Sequence, residues 1–160
     1  MSTNTLLSPH FSLLEFTESA TARKHGIVNE PTAEAVENLR RLCIHTLEPL
    51  REKLGLPMII TSGFRCKELN EIIVHAARKS QHLVGCAADF RVVQGSRELL
   101  IQAFRLIITE PDIDFDQLII YPSFIHVSYV SKERNRHQIT KANGQGTYCA
   151  LNRAQALAIS

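Results

Sequence analysis

The chain has 160 residues, 44% of them hydrophobic, and a formal net charge of +2 at neutral pH; this is ordinary single-domain size, with enough apolar material to bury a core without staples. A pI near 8.4 comes without any long basic run, so a nucleic-acid partner is not expected. Cys43, Cys66, Cys86 and Cys149 form no Cys-x-x-Cys pair, which excludes a zinc knuckle or a dithiol redox motif and favours reduced thiols as small core residues.

The first ten residues lack a basic n-region and a long apolar core, and no stretch reaches about 18 uninterrupted apolar residues. The reading is a protein made in the cytoplasm, with no signal peptide and no membrane span. Phe11 to Lys24 carries a short helical pattern, with Ser12 as cap and Gly26 as stop. From Pro31 to about Leu54, Val36, Leu39, Cys43, Leu47, Leu50 and Leu54 recur at helical spacing, predicting one buried stripe with Pro31 in the first turn and Gly55 at the stop. Pro49 lacks a backbone donor, so a kink or local break is expected there.

Met58-Ile59-Ile60-Thr61 reads as a strand delivering Arg65 to a loop, Cys66 to Ala77 as a short helix, and Arg78 to Val84 as a loop. Cys86 to Val93 reads as a strand and Ser96 to Thr109 as an amphipathic helix capped by Ser96. Asp116 to Tyr121 and Phe124 to Val130 follow as a strand pair turning at Tyr121-Pro122-Ser123. The expected fold class is α+β, a small, mainly antiparallel sheet with helices on one face. Ser131 to Ser160 extends no core pattern and is read as a peripheral loop with a short helix from Asn152 to Ala158. One domain over residues 1–160, with its core at about 10–130, is therefore expected.

The chemistry concentrates in Ser80-Gln81-His82-Leu83-Val84-Gly85-Cys86-Ala87-Ala88-Asp89. His82 and Asp89 supply two of the three protein ligands that a catalytic zinc takes from imidazole, carboxylate or thiolate. The third candidate is His126, because alternation in Phe124-Ile125-His126-Val127-Ser128 turns His126 and Ser128 to one face of a strand. Two imidazoles and one carboxylate suit zinc better than magnesium or calcium, which take mostly oxygen. Taken singly, His82 can cap a loop and Asp89 can pair with Arg91 or Arg65. His10, His25, His45, His75 and His137 have no ligand-like setting and are read as structural.

The run Ser-x-His-x-x-Gly-x-Ala-x-Asp, followed at a helix-sized interval by an apolar-His-apolar-Ser strand, resembles the zinc D-Ala-D-Ala carboxypeptidases and endolysins of peptidase family M15. Thr61-Ser62-Gly63-Phe64-Arg65 with Leu69-Asn70 is similar to that family's Ser-Gly-Tyr-Arg segment and its following Leu-Asn. The resemblance covers roughly residues 10 to 130 and implies the fold shared with the hedgehog signalling domain. It also implies one zinc ion on His82, Asp89 and His126, and a peptidoglycan peptide as substrate, cut by D,D-carboxypeptidase or L,D-endopeptidase action.

Under that resemblance Arg65 stabilises a developing oxyanion or holds a substrate carboxylate, since a guanidinium presents a planar fork of donors. A structural salt bridge is its plain alternative. Ser80, Gln81, Tyr121 and Ser128 stand as substrate-side candidates; loop orientation for Ser80, solvent exposure for Gln81 and a surface hydroxyl or support for His126 at Ser128 are the alternatives. Gly85 is read as a sharp turn or a close approach.

The chain departs from the family at the general base. Relatives carry a Glu three residues before the last ligand, or a His two before it, where this chain has Ser123 and Phe124. Tyr121 stands where some relatives have a Glu, and a phenol with a pKa near 10 is a poor acceptor at neutral pH. Asp116, Glu68 and His75 are further candidates that the sequence does not rank. The alternative function is a zinc-bearing module that binds wall peptides without turnover, and a weaker third is a structural domain without metal. A single copy is taken as the working unit, reaching the wall by phage-type lysis with a separate permeabilising protein.

Overall fold

A computed structural model describes residues 5–73 and 76–160. The N-terminal stretch is not the single helix expected over Phe11 to Lys24. Two short strands, β1 (Leu6–Ser8) and β2 (Phe11–Ser12), pair first, and two five-residue helices follow, α1 (Leu13–Thr17) and α2 (Ala20–Lys24). Two capping serines divide the stretch. The Ser12 N–H donates to the Glu15 carboxylate at 2.7 Å, and Ser19 Oγ accepts from the Ala22 N–H at 3.1 Å, so each serine starts its own helix.

Helix α3 (Ala33–Leu42) begins where Thr32 Oγ1 accepts the Ala35 N–H at 3.1 Å. Pro31 therefore lies just outside the first turn instead of within it. Ala35, Val36, Leu39 and Leu42 form the buried stripe. Cys43–Leu47 then widens into a π turn before α4 (Glu48–Leu54), because Pro49 has no N–H to give the His45 carbonyl and its ring crowds that oxygen. The freed carbonyl is used elsewhere. It accepts from the Asp114 N–H at 3.1 Å, and Thr46 Oγ1 donates to the Asp114 carbonyl at 2.6 Å, so the expected break docks the loop that feeds the central strands. Gly55, at φ 68°, closes α4 in the left-handed region as expected.

Six strands make the main sheet: β3 (Met58–Ser62), β4 (Ala87–Val92), β5 (Gln117–Ile120), β6 (Ile125–Ser128), β7 (Gln138–Ala142) and β8 (Tyr148–Leu151). Their order is β3-β4-β6-β5-β7-β8, and every pairing is antiparallel except β5 with β7. Helix α5 (Lys67–Ile72) precedes the turn before β4, α6 (Arg97–Thr109) joins β4 to β5 with Ser96 as its cap, and α7 (Arg153–Leu157) ends the chain. The fold is α+β, as expected.

The C-terminal segment corrects the sequence reading. Residues expected as a peripheral loop supply β7 and β8, and Ile139, Ala156 and Ile159 enter the core. Only the short helix after Asn152 matches the expectation.

The two-residue period of the strands sorts the sheet into two faces. Ala88, Phe90, Val92, Leu118, Ile120, Ile125, Val127 and Ile139 turn to the core, where they meet Leu39, Leu47, Leu50, Phe104 and Ile107 from the helices. On the other face the register lays Asp89 beside His126, His126 beside Ile119, and Ile119 beside Thr140. That row crosses four strands and forms the floor of the site.

Candidate metal centre

His82 reaches the floor from a 3-10 turn, Gln81–Val84, which packs above the sheet. Ser80 Oγ accepts the His82 N–H at 3.2 Å, the Gln81 carbonyl accepts from the Cys86 N–H at 3.0 Å, and the His82 carbonyl accepts from the Arg65 N–H at 3.1 Å. Gly85 ends the turn at φ 77°. The imidazole is 2% exposed, and its Nδ1 lies 2.6 Å from the Gly63 carbonyl. A carbonyl only accepts, so Nδ1 carries the hydrogen and Nε2 is left with its lone pair.

Nε2 lies 3.3 Å from Asp89 Oδ1. His126 Nδ1 lies 2.8 Å from the same oxygen, and one ligand atom from each of His82, Asp89 and His126 falls within 4.8 Å of the others. A neutral imidazole lone pair facing a carboxylate oxygen is repulsive unless a cation sits between them. Burial lowers the His82 pKa despite the attraction of Asp89, so a proton is a poor candidate for that cation at neutral pH. Burial alone would raise the Asp89 carboxyl, but the two adjoining imidazoles hold it well below the usual range. The donor set therefore fits zinc: two imidazoles, one carboxylate, and a backbone carbonyl fixing the tautomer of one ligand.

Arg65 is buried beside the acid. Its Nε donates to Ser62 Oγ at 3.1 Å, Nη1 to Asn70 Oδ1 at 3.2 Å and Nη2 to Asp89 Oδ2 at 3.5 Å. The structural salt bridge is thus present, and the guanidinium also lines the cleft over the metal row. The cleft has a volume of about 630 Å³ and is walled by Lys79, Ser80 and Gln81 on one side and by Tyr121, Phe124 and Tyr148 on the other. A cavity of about 740 Å³ elsewhere, lined by His45, Phe115, Tyr129 and His137 among others, is larger, but among the described residues it gathers no set of ligating side chains.

The other sequence candidates fare unequally. Ser80 and Tyr121 line the cleft; Ser80 caps the His82 turn, and the Tyr121 hydroxyl lies 3.2 Å from that of Tyr148. Burial and then Tyr148 push the Tyr121 phenol upward, so it stays protonated. Gln81 is not free in solvent: its Nε2 donates to Asp116 Oδ2 at 2.8 Å. Ser128 is fully buried and its Oγ accepts the Gln117 N–H at 3.0 Å, so it braces the strand instead of meeting a substrate. Strand alternation gave its side of the sheet correctly, but not its depth.

Of the base candidates, Glu68 is exposed on α5 and does not line the cleft. Asp116 is occupied by Arg136, through Nε at 3.0 Å and Nη2 at 2.7 Å. His75 lies outside the described residues. Among the described residues lining the cleft, Asp89 is the only acid. Four histidines read as structural are engaged elsewhere: His10 with Glu48, His25 with the Thr21 carbonyl, His45 stacked on Tyr129, and His137 with Asp114. All four cysteines are free thiols.

Arg136, Thr140 and Tyr148 are cleft residues that the sequence reading did not single out. A signal for them exists. Asn143-Gly144-Gln145-Gly146, a run of turn-forming residues between Gln138–Ala142 and Tyr148–Leu151, is the kind of segment that joins hairpin strands.

The Asp116 pair has a measurable acid signature. Burial opposes ionisation, but hydrogen bonds from Arg136 and Gln81 dominate and hold the carboxyl down at about 2. Its contribution to stability is complete above the ordinary carboxylate range near 4 and is lost as pH falls through about 2. Arg136 is 53% exposed, so water screens the pair and about 1–2 kcal/mol is expected. In urea melts, the stability gap between wild type and Asp116→Asn should narrow by about that amount between pH 6 and pH 2. A gap independent of pH would contradict the ion pair.

Together the sheet and the turn above it define an α+β domain that gathers two histidines and one carboxylate into a candidate metal site. The sequence model of the family Peptidase M15 matches residues 9–128. The chain belongs to the peptidase M15 family. Comparison with curated proteins found no match. Among the described residues no helix is long and apolar enough to cross a membrane.

Proposed function

We propose that this protein is a zinc-dependent peptidase that hydrolyses peptidoglycan stem peptides as a D,D-carboxypeptidase or L,D-endopeptidase of the endolysin type. The observation that carries the reading is the gathering of one ligand atom each from His82, Asp89 and His126 within 4.8 Å, with His82 Nε2 3.3 Å from Asp89 Oδ1 and Nδ1 locked by Gly63. Membership of the M15 family supports peptide-bond hydrolysis as the reaction.

His82, Asp89 and His126 would hold the ion. When bound, zinc polarises a scissile carbonyl and lowers the pKa of a coordinated water toward neutrality. Arg65, fixed by Ser62, Asn70 and Asp89, places positive charge beside the reacting carbonyl with no reorganisation cost. Tyr121, protonated and paired with Tyr148, serves as a hydrogen-bond donor to substrate. Ser80 acts by capping the turn that carries His82. The wall is reached through a separate permeabilising protein.

A second reading rests on one observation: the described cleft lining offers no carboxylate beyond Asp89 to take a proton. On that reading the same centre binds a wall peptide without turnover. Muropeptides incubated with chelator-stripped and zinc-reloaded protein separate the two. Mass spectrometry is expected to show D-Ala or a new stem amine only in the zinc-reloaded sample. Retained binding with no product over hours would replace the peptidase by the binding module.

A further inference from the structure

The turn that carries His82 is anchored from the C-terminal segment. Gln81 Nε2 donates to Asp116 Oδ2 at 2.8 Å. Asp116, only 1% exposed, also accepts the Arg136 N–H at 2.8 Å and Nε at 3.0 Å on Oδ1, and Nη2 at 2.7 Å on Oδ2. Its main chain is fixed as well: the Asp116 N–H donates to the Ser128 carbonyl at 2.7 Å, and its carbonyl accepts from the Gln138 N–H at 2.9 Å. The carboxylate thus has its place set by β6, by β7 and by the loop before β7. Gln81, next in sequence to His82, takes its position from that carboxylate.

We infer that Arg136, Asp116 and Gln81 form a positioning relay through which the C-terminal segment holds the His82 turn in its metal-binding place. The inference rests on the zinc reading of the centre. The turn's other bonds, to Ser80, Cys86 and Arg65 and from Asn38 of α3 to the Val84 carbonyl, fix its shape and seat its far end. The relay ties it to the far side of the sheet, beside the strand that carries His126. A guanidinium fork on a carboxylate is directional, so Arg136 sets the orientation of Asp116 and not merely its charge. Arg136 lies beyond the matched residues 9–128, which makes this support a feature of the segment that follows them.

The test uses Arg136→Ala, Gln81→Ala and the double variant of the full chain. The Arg136 side chain is 53% exposed and Gln81 is half-buried, so all three are expected to fold, with melting curves as the check. Zinc alone is the probe, titrated in competition with a chromophoric chelator. Each single variant is expected to bind zinc roughly 10–100-fold more weakly, the usual scale for removing support from a ligand. The double variant is expected to be no weaker than the poorer single, because both break one chain of contacts. Arg136→Lys, which keeps charge but not the fork, falls between.

Amide hydrogen exchange supplies a readout without metal. In the zinc-free Arg136→Ala protein, the Arg65 and Cys86 amides, bonded to the His82 and Gln81 carbonyls, are expected to exchange about tenfold faster, with the Phe90 amide unchanged. Zinc affinities within twofold of wild type, additive losses in the double variant, or unchanged exchange at Arg65 and Cys86 each overturn the relay. If wild type takes up no zinc, the metal reading falls, and the exchange result decides the relay by itself.

Discussion

His126→Ala is expected to abolish stoichiometric zinc uptake and hydrolysis together while leaving the fold in place. His126 is half-buried in the middle of β6, and its ring nitrogen Nδ1 pairs with Asp89. Truncation removes a ligand but orphans no buried backbone group. A structural zinc site is worth about 10–16 kcal/mol over four ligands, or about 3 kcal/mol for each, so affinity should fall on the order of 100-fold or more. Elemental analysis after dialysis reads this directly. Full zinc retention would remove His126 from the ligand set.

The other two ligands should show an added cost. His82→Ala strands the buried Gly63 carbonyl, and Asp89→Ala leaves the buried Arg65 guanidinium without its acid, an uncompensated charge of the kind that costs about 3–5 kcal/mol. Both variants should therefore melt lower than His126→Ala even in zinc-free buffer. Equal melting temperatures for the three would mean that Asp89 does not carry the charge of Arg65.

The candidate ligands could be singled out because strand chemistry is local. His126 and Asp89 sit in runs whose alternation places them on the polar face, and both runs became strands within a residue or two of expectation. What local pattern cannot give is register. Nothing in the sequence says that Asp89 faces His126, 37 positions further along the chain; that follows from which apolar residues of β4 and β6 must share the core. The lock on His82 is equally non-local, since its acceptor is a main-chain carbonyl at the end of β3 that any residue type would supply.

The C-terminal strands were missed for a different reason. Of Gln138-Ile139-Thr140-Lys141-Ala142, only Ile139 and Ala142 are buried, which is too little apolar signal for a core strand, and the parallel pairing with β5 joins strands that are not consecutive in the chain. Its consequences for the site were hidden with it. Tyr148 beside Tyr121, and Arg136 on Asp116, exist only once β7 is laid against β5 and β8 against β7. By contrast, the Pro49 break was readable from a single missing donor, and its use in docking Asp114 was not.

Gly85→Ala should be the most damaging single-methyl change in the site. Gly85 has φ 77°, and a Cβ built there would lie 2.3 Å from the Ala35 carbonyl oxygen and 3.0 Å from its carbon. The obstacle is main chain inside α3, so neither partner can rotate away. A left-handed residue with a side chain costs about 1–2 kcal/mol, and forcing two packed elements apart costs about 1–3 kcal/mol more. For a chain of this size that is roughly 2–4 °C per kcal/mol, or about 10 °C overall. Gly95 is the control, because it has φ 62° and nothing within 4 Å of the added carbon, so Gly95→Ala should show the backbone cost alone. The turn is also tied to α3 by Asn38 Nδ2 donating to the Val84 carbonyl at 2.8 Å, and pushing it outward carries His82 with it. Zinc affinity should therefore fall in Gly85→Ala and hold in Gly95→Ala. If the two variants melt alike and bind zinc alike, the seat of the His82 turn on α3 does not set the metal site.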